Sequence, residues 1–309
     1  MFCKNTKDFE DEVMNGIIKE HLKEIVILAL LIAMVLSTAS GCSKRSDQSD
    51  GGQRYITIKG SDTMVHLVSS CAEAFMEEQP DIEVSVTGGG SGTGIAALIN
   101  GTTDICAASR EIKEKEKRLA EQRGISPEEI TVARDGIAVV VNLRNPASEL
   151  SMEQLSEIFT GAYARWNQVG GPDEEIIVLS RESSSGTYVF FQEHVLKKQD
   201  YTQRAKLMPA TSAIIQSVST DRWAIGYVGL GYALAARDKV KILAIKTEES
   251  SPAVFPSEQT VKSGQYVIAR PLYLYTNGQA VGTVKDFIDF CLSDQGQVIV
   301  RETGYVAIR

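Results

Sequence analysis

The sequence predicts an α/β protein of mainly parallel sheets flanked by helices. Three observations carry that prediction: short apolar strands alternate with helical segments, each strand gives way to a polar turn, and three of those turns stand where a helix begins. With 309 residues, 43% of them hydrophobic and 23% charged, the chain can bury the core of one large domain or two smaller ones.

The N-terminus carries an address. Residues 25–36 form an unbroken apolar run behind Lys19, His21 and Lys23, shorter than the ~20 residues a membrane-spanning helix needs, so it reads as a signal-peptide core. Ala39, Ser40 and Gly41 lead directly to Cys42. That pattern resembles the lipobox of bacterial lipoproteins, in which the cysteine is lipidated, with Ala39 in place of the usual leucine. Residues 1–41 are therefore expected to be a signal peptide, and the membrane a partner through the lipid. Asp8, Glu10, Asp11 and Glu12 are the wrong charge for a signal's start, which points to Met14 as the true initiator. Residues 42–54 are polar and carry no apolar period past Cys42, as in a flexible tether.

The folded part begins near Tyr55. Residues 55–59 alternate like a strand, residues 60–63 (GSDT) form a turn, and Met64, Leu67, Val68, Cys71, Ala72, Phe75 and Met76 recur at helical spacing until Pro80. The unit repeats: strand 82–86, turn 87–94 (TGGGSGTG), helix from Ile95 to Ile99. A third short strand spans 104–109 and ends at Ser109 and Arg110. Residues 111–124 are a mixed-charge, solvated helix. Residues 136–141 read as a fully buried strand, and Ser151 with Gln154 forms a capping box for a helix ending near Phe159. A buried strand at 176–179 leads into Arg181-Glu-Ser-Ser-Ser-Gly-Thr187 and a helix over 188–196. Strands at 224–228, 240–245 and 266–269, then helices at 284–291 and 296–300, close the chain.

The three turns share one chemistry. Residues 60–63, 88–94 and 183–187 each place small or hydroxylated side chains at a helix start, where free N–H groups and the positive end of the helix dipole favour an anion. One such turn is an ordinary helix cap. Three in one chain, one with the fixed cation Arg181 beside it, suit a tetrahedral oxyanion.

Other functions lack their residues. A net charge of −8 argues against a nucleic-acid partner. Gly89 to Gly94 has the glycine spacing of a phosphate-binding P-loop, but Ile95 stands where the lysine is required, and the dinucleotide fingerprint lacks its third glycine. Neither Ser91 nor Ser185 lies in a nucleophile elbow, and His66 and His194 are the only histidines after the signal, far apart in sequence. No metal, cofactor or catalytic residue is implied. Cys71, Cys106 and Cys291 show no metal-ligand spacing, leave room for at most one disulfide and read as buried thiols.

In order, the segments IKGSDT (58–63), TGGGSGTG (87–94), IFTG (158–161), WNQVGG (166–171), RESSSGT (181–187), AIGYV (224–228), RPLYLY (270–275) and GYV (304–306) resemble the PstS-type phosphate-binding proteins of bacterial ABC transporters. The resemblance covers residues 55–309. It implies a two-lobe periplasmic-binding-protein fold of type II that closes on its ligand in the cleft, with residues 55–140 and 269–309 in one lobe and 141–268 in the other. The crossings are expected near residues 138–142 and 267–271. It also implies inorganic phosphate as ligand, ABC permease subunits as partners, and no enzymatic activity.

Carried over by position, Ser61, Thr63, the backbone N–H of Met64, and Ser91 would hold phosphate from the first lobe. Arg181, Ser185, Gly186 and Thr187 would hold it from the second. Several members of the family place an aspartate after the serine of the third strand, where it accepts a proton from phosphate and rejects sulfate. Here Ser109 is followed by Arg110, which would add positive charge instead. Asp62 is then the candidate acceptor, because a buried carboxylate repels an anion that brings no proton. Sulfate or molybdate in the same fold, an envelope signalling or adhesion module, and a phosphatase are the alternatives.

Overall fold

The computed structural model describes residues 55–309. The expected signal peptide, the start at Met14, the lipidated Cys42 and the tether lie outside the described residues. The described residues form one compact unit.

The first strand–turn–helix unit is β1 (Tyr55–Gly60), a short 3-10 turn (Asp62–Met64) and α1 (Val65–Glu78). The second is β2 (Glu83–Thr87) and α2 (Ser91–Ile99), followed by β3 (Ile105–Ala108) and α3 (Glu114–Gln122). Strands β1, β2 and β3 pair in parallel with β1 central, as strand–helix alternation requires.

The next strand is longer than its apolar part suggests. β4 runs over Pro127–Asn142, and its first half, up to Gly136, pairs antiparallel with β11 (Ala269–Asn277). From Ile137 onward it pairs antiparallel with β8 (Ala224–Gly229) and, from Val140 on, with β9 (Val240–Ile242). β8 in turn pairs in parallel with β6 (Ile177–Arg181), and β6 with β7 (Lys206–Met208). The nine-stranded sheet is thus mixed: parallel at its two ends, antiparallel wherever β4 or β11 takes part. The reason is topological, because a strand that crosses from one half to the other and a strand that returns must run in opposite directions.

The remaining elements are β5 (Glu149–Ser151), α4 (Met152–Thr160), α5 (Gly186–His194), α6 (Thr211–Thr220), α7 (Leu230–Ala235), β10 (Ala244–Lys246), α8 (Glu258–Lys262), α9 (Gly282–Leu292) and α10 (Asp294–Glu302). The predicted capping box is present: Gln154 N–H donates to Ser151 Oγ at 3.1 Å and Ser151 N–H to Gln154 Oε1 at 2.9 Å. The segment 240–245, read as one strand, is two, because Leu243 turns inward between β9 and β10 and is fully buried.

Apolar side chains sort into separate cores. One gathers Ile137–Val141, Phe159, Trp166, Phe191, Tyr227 and Ile268. Another gathers Ile56, Ile58, Leu67, Phe75, Leu272, Leu274 and Phe287. Cys71, Cys106 and Cys291 are buried free thiols, and burial pushes the Cys106 thiol far above its ordinary range. Among the described residues no helix is long and apolar enough to cross a membrane.

Candidate functional site

The three polar turns meet. Ser61 precedes the 3-10 turn, Ser91 is the first residue of α2, and Ser109 follows β3, so parallel pairing delivers all three hydroxyls to the same edge of the sheet. Ser61 Oγ donates to Ser109 Oγ at 2.9 Å, Ser91 Oγ lies 3.3 Å from Ser109 Oγ, and Ser109 N–H donates to Ser91 Oγ at 3.0 Å. All three side chains are buried.

The turn before α5 faces them. Ser185 caps α5, its Oγ accepting from Tyr188 N–H at 3.4 Å. A Cβ added to Gly186 would stand 2.3 Å from Ser91 Oγ and 2.7 Å from Ser109 Oγ. The Thr187 and Thr63 hydroxyls share a hydrogen bond of 2.8 Å, and Gly92 N–H donates to Ser184 O at 2.9 Å. Gly90, the residue before α2, is held at φ 101° with its Cβ position 2.6 Å from Ser184 O, a close approach that glycine alone permits. Five hydroxyls and two helix N-termini thereby converge from opposite sides.

The expected charged residues occupy other positions. Arg181 Nε donates to Met208 O at 3.1 Å, Nη1 to Thr211 Oγ1 at 2.8 Å and Nη2 to Pro209 O at 2.8 Å. Its acidic partner is Asp62, with Nη1 and Oδ2 3.3 Å apart. Burial lowers the pKa of Arg181 and Asp62 opposes that shift. Asp62 Oδ2 also accepts from Thr211 N–H at 2.6 Å, and Tyr232 donates to Asp62 O at 3.2 Å. Asp62 and Arg181 therefore tie the turn after β1 to the end of β6 and to the segment 208–211. Arg110 points its guanidinium at Glu116, with two 2.8 Å bonds, and at Glu111 O. The N–H of Met64 is taken by Ser61 O at 3.0 Å.

Two residues that sequence reasoning passed over complete the cluster. Arg270 Nη2 donates to Thr187 Oγ1 at 2.9 Å, Nη1 donates to Ser109 O at 2.8 Å, and Nη2 is 3.1 Å from Asp135 Oδ2. Burial raises the Asp135 pKa against the pull of Arg270, and lowers that of Arg270. Arg270 has a signal in the sequence, a lone charge in the otherwise uncharged strand β11 that must be paired if buried, whereas Asp135 stands among Glu128, Glu129 and Arg134 and has none. Arg110 and Arg270 also line a cavity of about 450 Å³ with Lys117, Phe190, His194 and Tyr273. Among the described residues no cluster of metal-ligating side chains is present.

Residues 45–295 match the family model described as PBP superfamily domain. The phosphate-binding protein PstS of Staphylococcus saprophyticus is 35% identical over 282 residues, covering 89% of this chain and 87% of that protein. PstS of Staphylococcus epidermidis is 35% identical over 292 residues, 92% and 88% of the two chains. A solved structure from Clostridium perfringens, described as a phosphate ABC transporter substrate-binding protein with bound phosphate, matches with a TM-score of 0.75 at 30% identity, over 82% of this chain and 100% of that one. An ABC-type phosphate transport receptor from Vibrio cholerae matches with a TM-score of 0.65 at 30% identity, over 81% and 99%. The chain belongs to the PstS phosphate-binding proteins of the PBP superfamily, two-lobe binding proteins rather than enzymes.

Proposed function

We propose that this protein captures inorganic phosphate between two lobes and hands it to an ABC permease outside the cytoplasm. The observation that carries the reading is the convergence of two buried hydroxyl groups, Ser61, Ser91 and Ser109 bonded to one another and Thr63 bonded to Thr187, with Arg270 reaching both. An ion admitted between the turns would exchange these hydroxyl contacts for charge-assisted ones, each contributing ~1.5–3 kcal/mol before the ion's desolvation is offset. Helix N-termini at α2 and α5 add dipole stabilisation without adding net charge.

Strand pairing supports a division into lobe 1, residues 55–136 with 269–309, and lobe 2, residues 137–268. The first crossing lies just before the expected 138–142, and the return at 269 lies within the expected 267–271. In this reading Ser61, Thr63, Ser91 and Ser109 act from lobe 1, and Ser185, Gly186 and Thr187 from lobe 2. Arg181 and Asp62 close the lobes, and Arg110 supports the loop after β3. The signal peptide and Cys42 would place the protein on the outer face of a membrane through its lipid.

Equilibrium dialysis against phosphate, sulfate and molybdate tests the ligand. Retention of phosphate at micromolar concentration or below, with sulfate unable to displace it, is the expected result. Preferential retention of sulfate or molybdate would overturn it.

A further inference from the structure

We propose that Arg270, held in place by Asp135, is a positioning residue of the anion site that ties together the two turns gripping the ion, one from each lobe. This rests on the phosphate-binding reading above. A single guanidinium reaches both turns: Nη1 donates to the carbonyl of Ser109 at 2.8 Å, and Nη2 donates to the hydroxyl of Thr187 at 2.9 Å. Ser109 in turn holds the hydroxyls of Ser61 and Ser91, and Thr187 holds that of Thr63. Every hydroxyl pair of the cluster is thus one step from Arg270.

The place of Arg270 in the fold gives this contact its consequence. It lies directly opposite Asp135 in the β4–β11 register, next to the crossing where Ile137 N–H donates to Ile268 O at 2.7 Å. The two side chains are 1% and 0% exposed, and Asp135 Oδ1 accepts from Leu230 N–H at 3.1 Å, at the start of α7. An ion pair buried this deeply gains little over apolar residues of the same volume, so its retention points to geometry rather than stability. Arg181 and Arg110 do not compete for the role, because their forks are held by the segment 208–211 and by Glu116. Arg270 therefore links strand crossing, Ser109 and Thr187 in one rigid fork, and the cluster can form only when both lobes present their turns to it.

Two variants test the proposal in the purified protein: Arg270→Lys, and the double substitution Arg270→Met with Asp135→Asn, which leaves no unpaired buried charge. Thermal unfolding reports the fold, calorimetric titration reports phosphate affinity, and small-angle scattering reports contraction on adding phosphate. The double variant is expected to stay folded, to bind phosphate at least tenfold more weakly and to contract less. The lysine variant should fall between it and wild type, because an ammonium has no planar fork to span both acceptors. Phosphate affinity within twofold of wild type in both variants would overturn the proposal. Should the double variant fail to fold, the lysine variant decides by the same twofold criterion. Wild-type protein that takes up no phosphate contradicts the functional reading itself, and needs no variant to be seen.

Discussion

Gly186 is the residue on which the two sides of the site come closest. Any Cβ there would press on Ser91 Oγ and Ser109 Oγ, at 2.3 and 2.7 Å, so Gly186→Ala should hold the lobes apart without disturbing either core. The expected outcome is at least a tenfold loss of phosphate affinity by calorimetry with a nearly unchanged melting temperature. A second prediction concerns Asp62, which the sequence suggested as the acceptor of a phosphate proton. Its Oδ2 is committed to Thr211 N–H and Arg181, so Asp62→Asn should weaken phosphate and sulfate binding alike by loosening that tie. A change in the phosphate-to-sulfate ratio alone would return Asp62 to the discriminating role. Ser61, Ser91 and Ser185 were legible in the sequence because helix-start turns announce themselves through local residue types. Arg270, Asp135 and Thr211 were not, because their partners lie on strands and turns that only tertiary pairing brings together.

Among the elements, β4 shows where local pattern runs out. Its buried half, from Ile137, is apolar throughout and was read directly, whereas residues 127–135 carry Glu128, Glu129, Arg134 and Asp135 and gave no strand signal. Nine register pairs with β11 make that half a strand, so long-range pairing overrides a weak local preference. The loop before α3 shows the opposite case, in which a charged segment is fixed by its own residues. Burial alone would raise the Glu116 carboxyl, but bonds from Arg110 and from Lys113 N–H hold it below its ordinary value of 4.5. A carboxylate lowered in the folded state contributes stability above its unfolded pKa, and that contribution is lost as pH falls through the folded value. Glu116→Gln should therefore cost about 1 kcal/mol at neutral pH, a figure reduced for partial solvent screening. In denaturant titrations the gap from wild type should stay constant above about pH 5.5 and close below pH 4.5. A gap independent of pH would contradict the assignment.

At the scale of the whole molecule, the strands β4 and β11, which join the β1–β3 side of the sheet to the β6–β8 side, explain how turns far apart in sequence form one site. Thr63 and Thr187, 124 positions apart, share a hydrogen bond, as do Asp62 and Thr211 at 149. The alternation of strand and helix was enough to foresee α/β layers and to single out three polar turns at helix starts. It could not foresee that the sheet would be mixed, since that follows from β4 pairing antiparallel with β11 up to Gly136 and with β8 from Ile137. Contact between the two sides completes the cluster, because Thr63 finds its hydroxyl partner in Thr187 while Ser61, Ser91 and Ser109 bond among themselves. The most direct test titrates phosphate calorimetrically into wild-type protein and into Ser109→Ala, whose hydroxyl sits between those of Ser61 and Ser91. One phosphate per chain at micromolar affinity or tighter is expected for wild type, and binding at least tenfold weaker for the variant. No binding by wild type, or equal binding by both, would contradict that expectation.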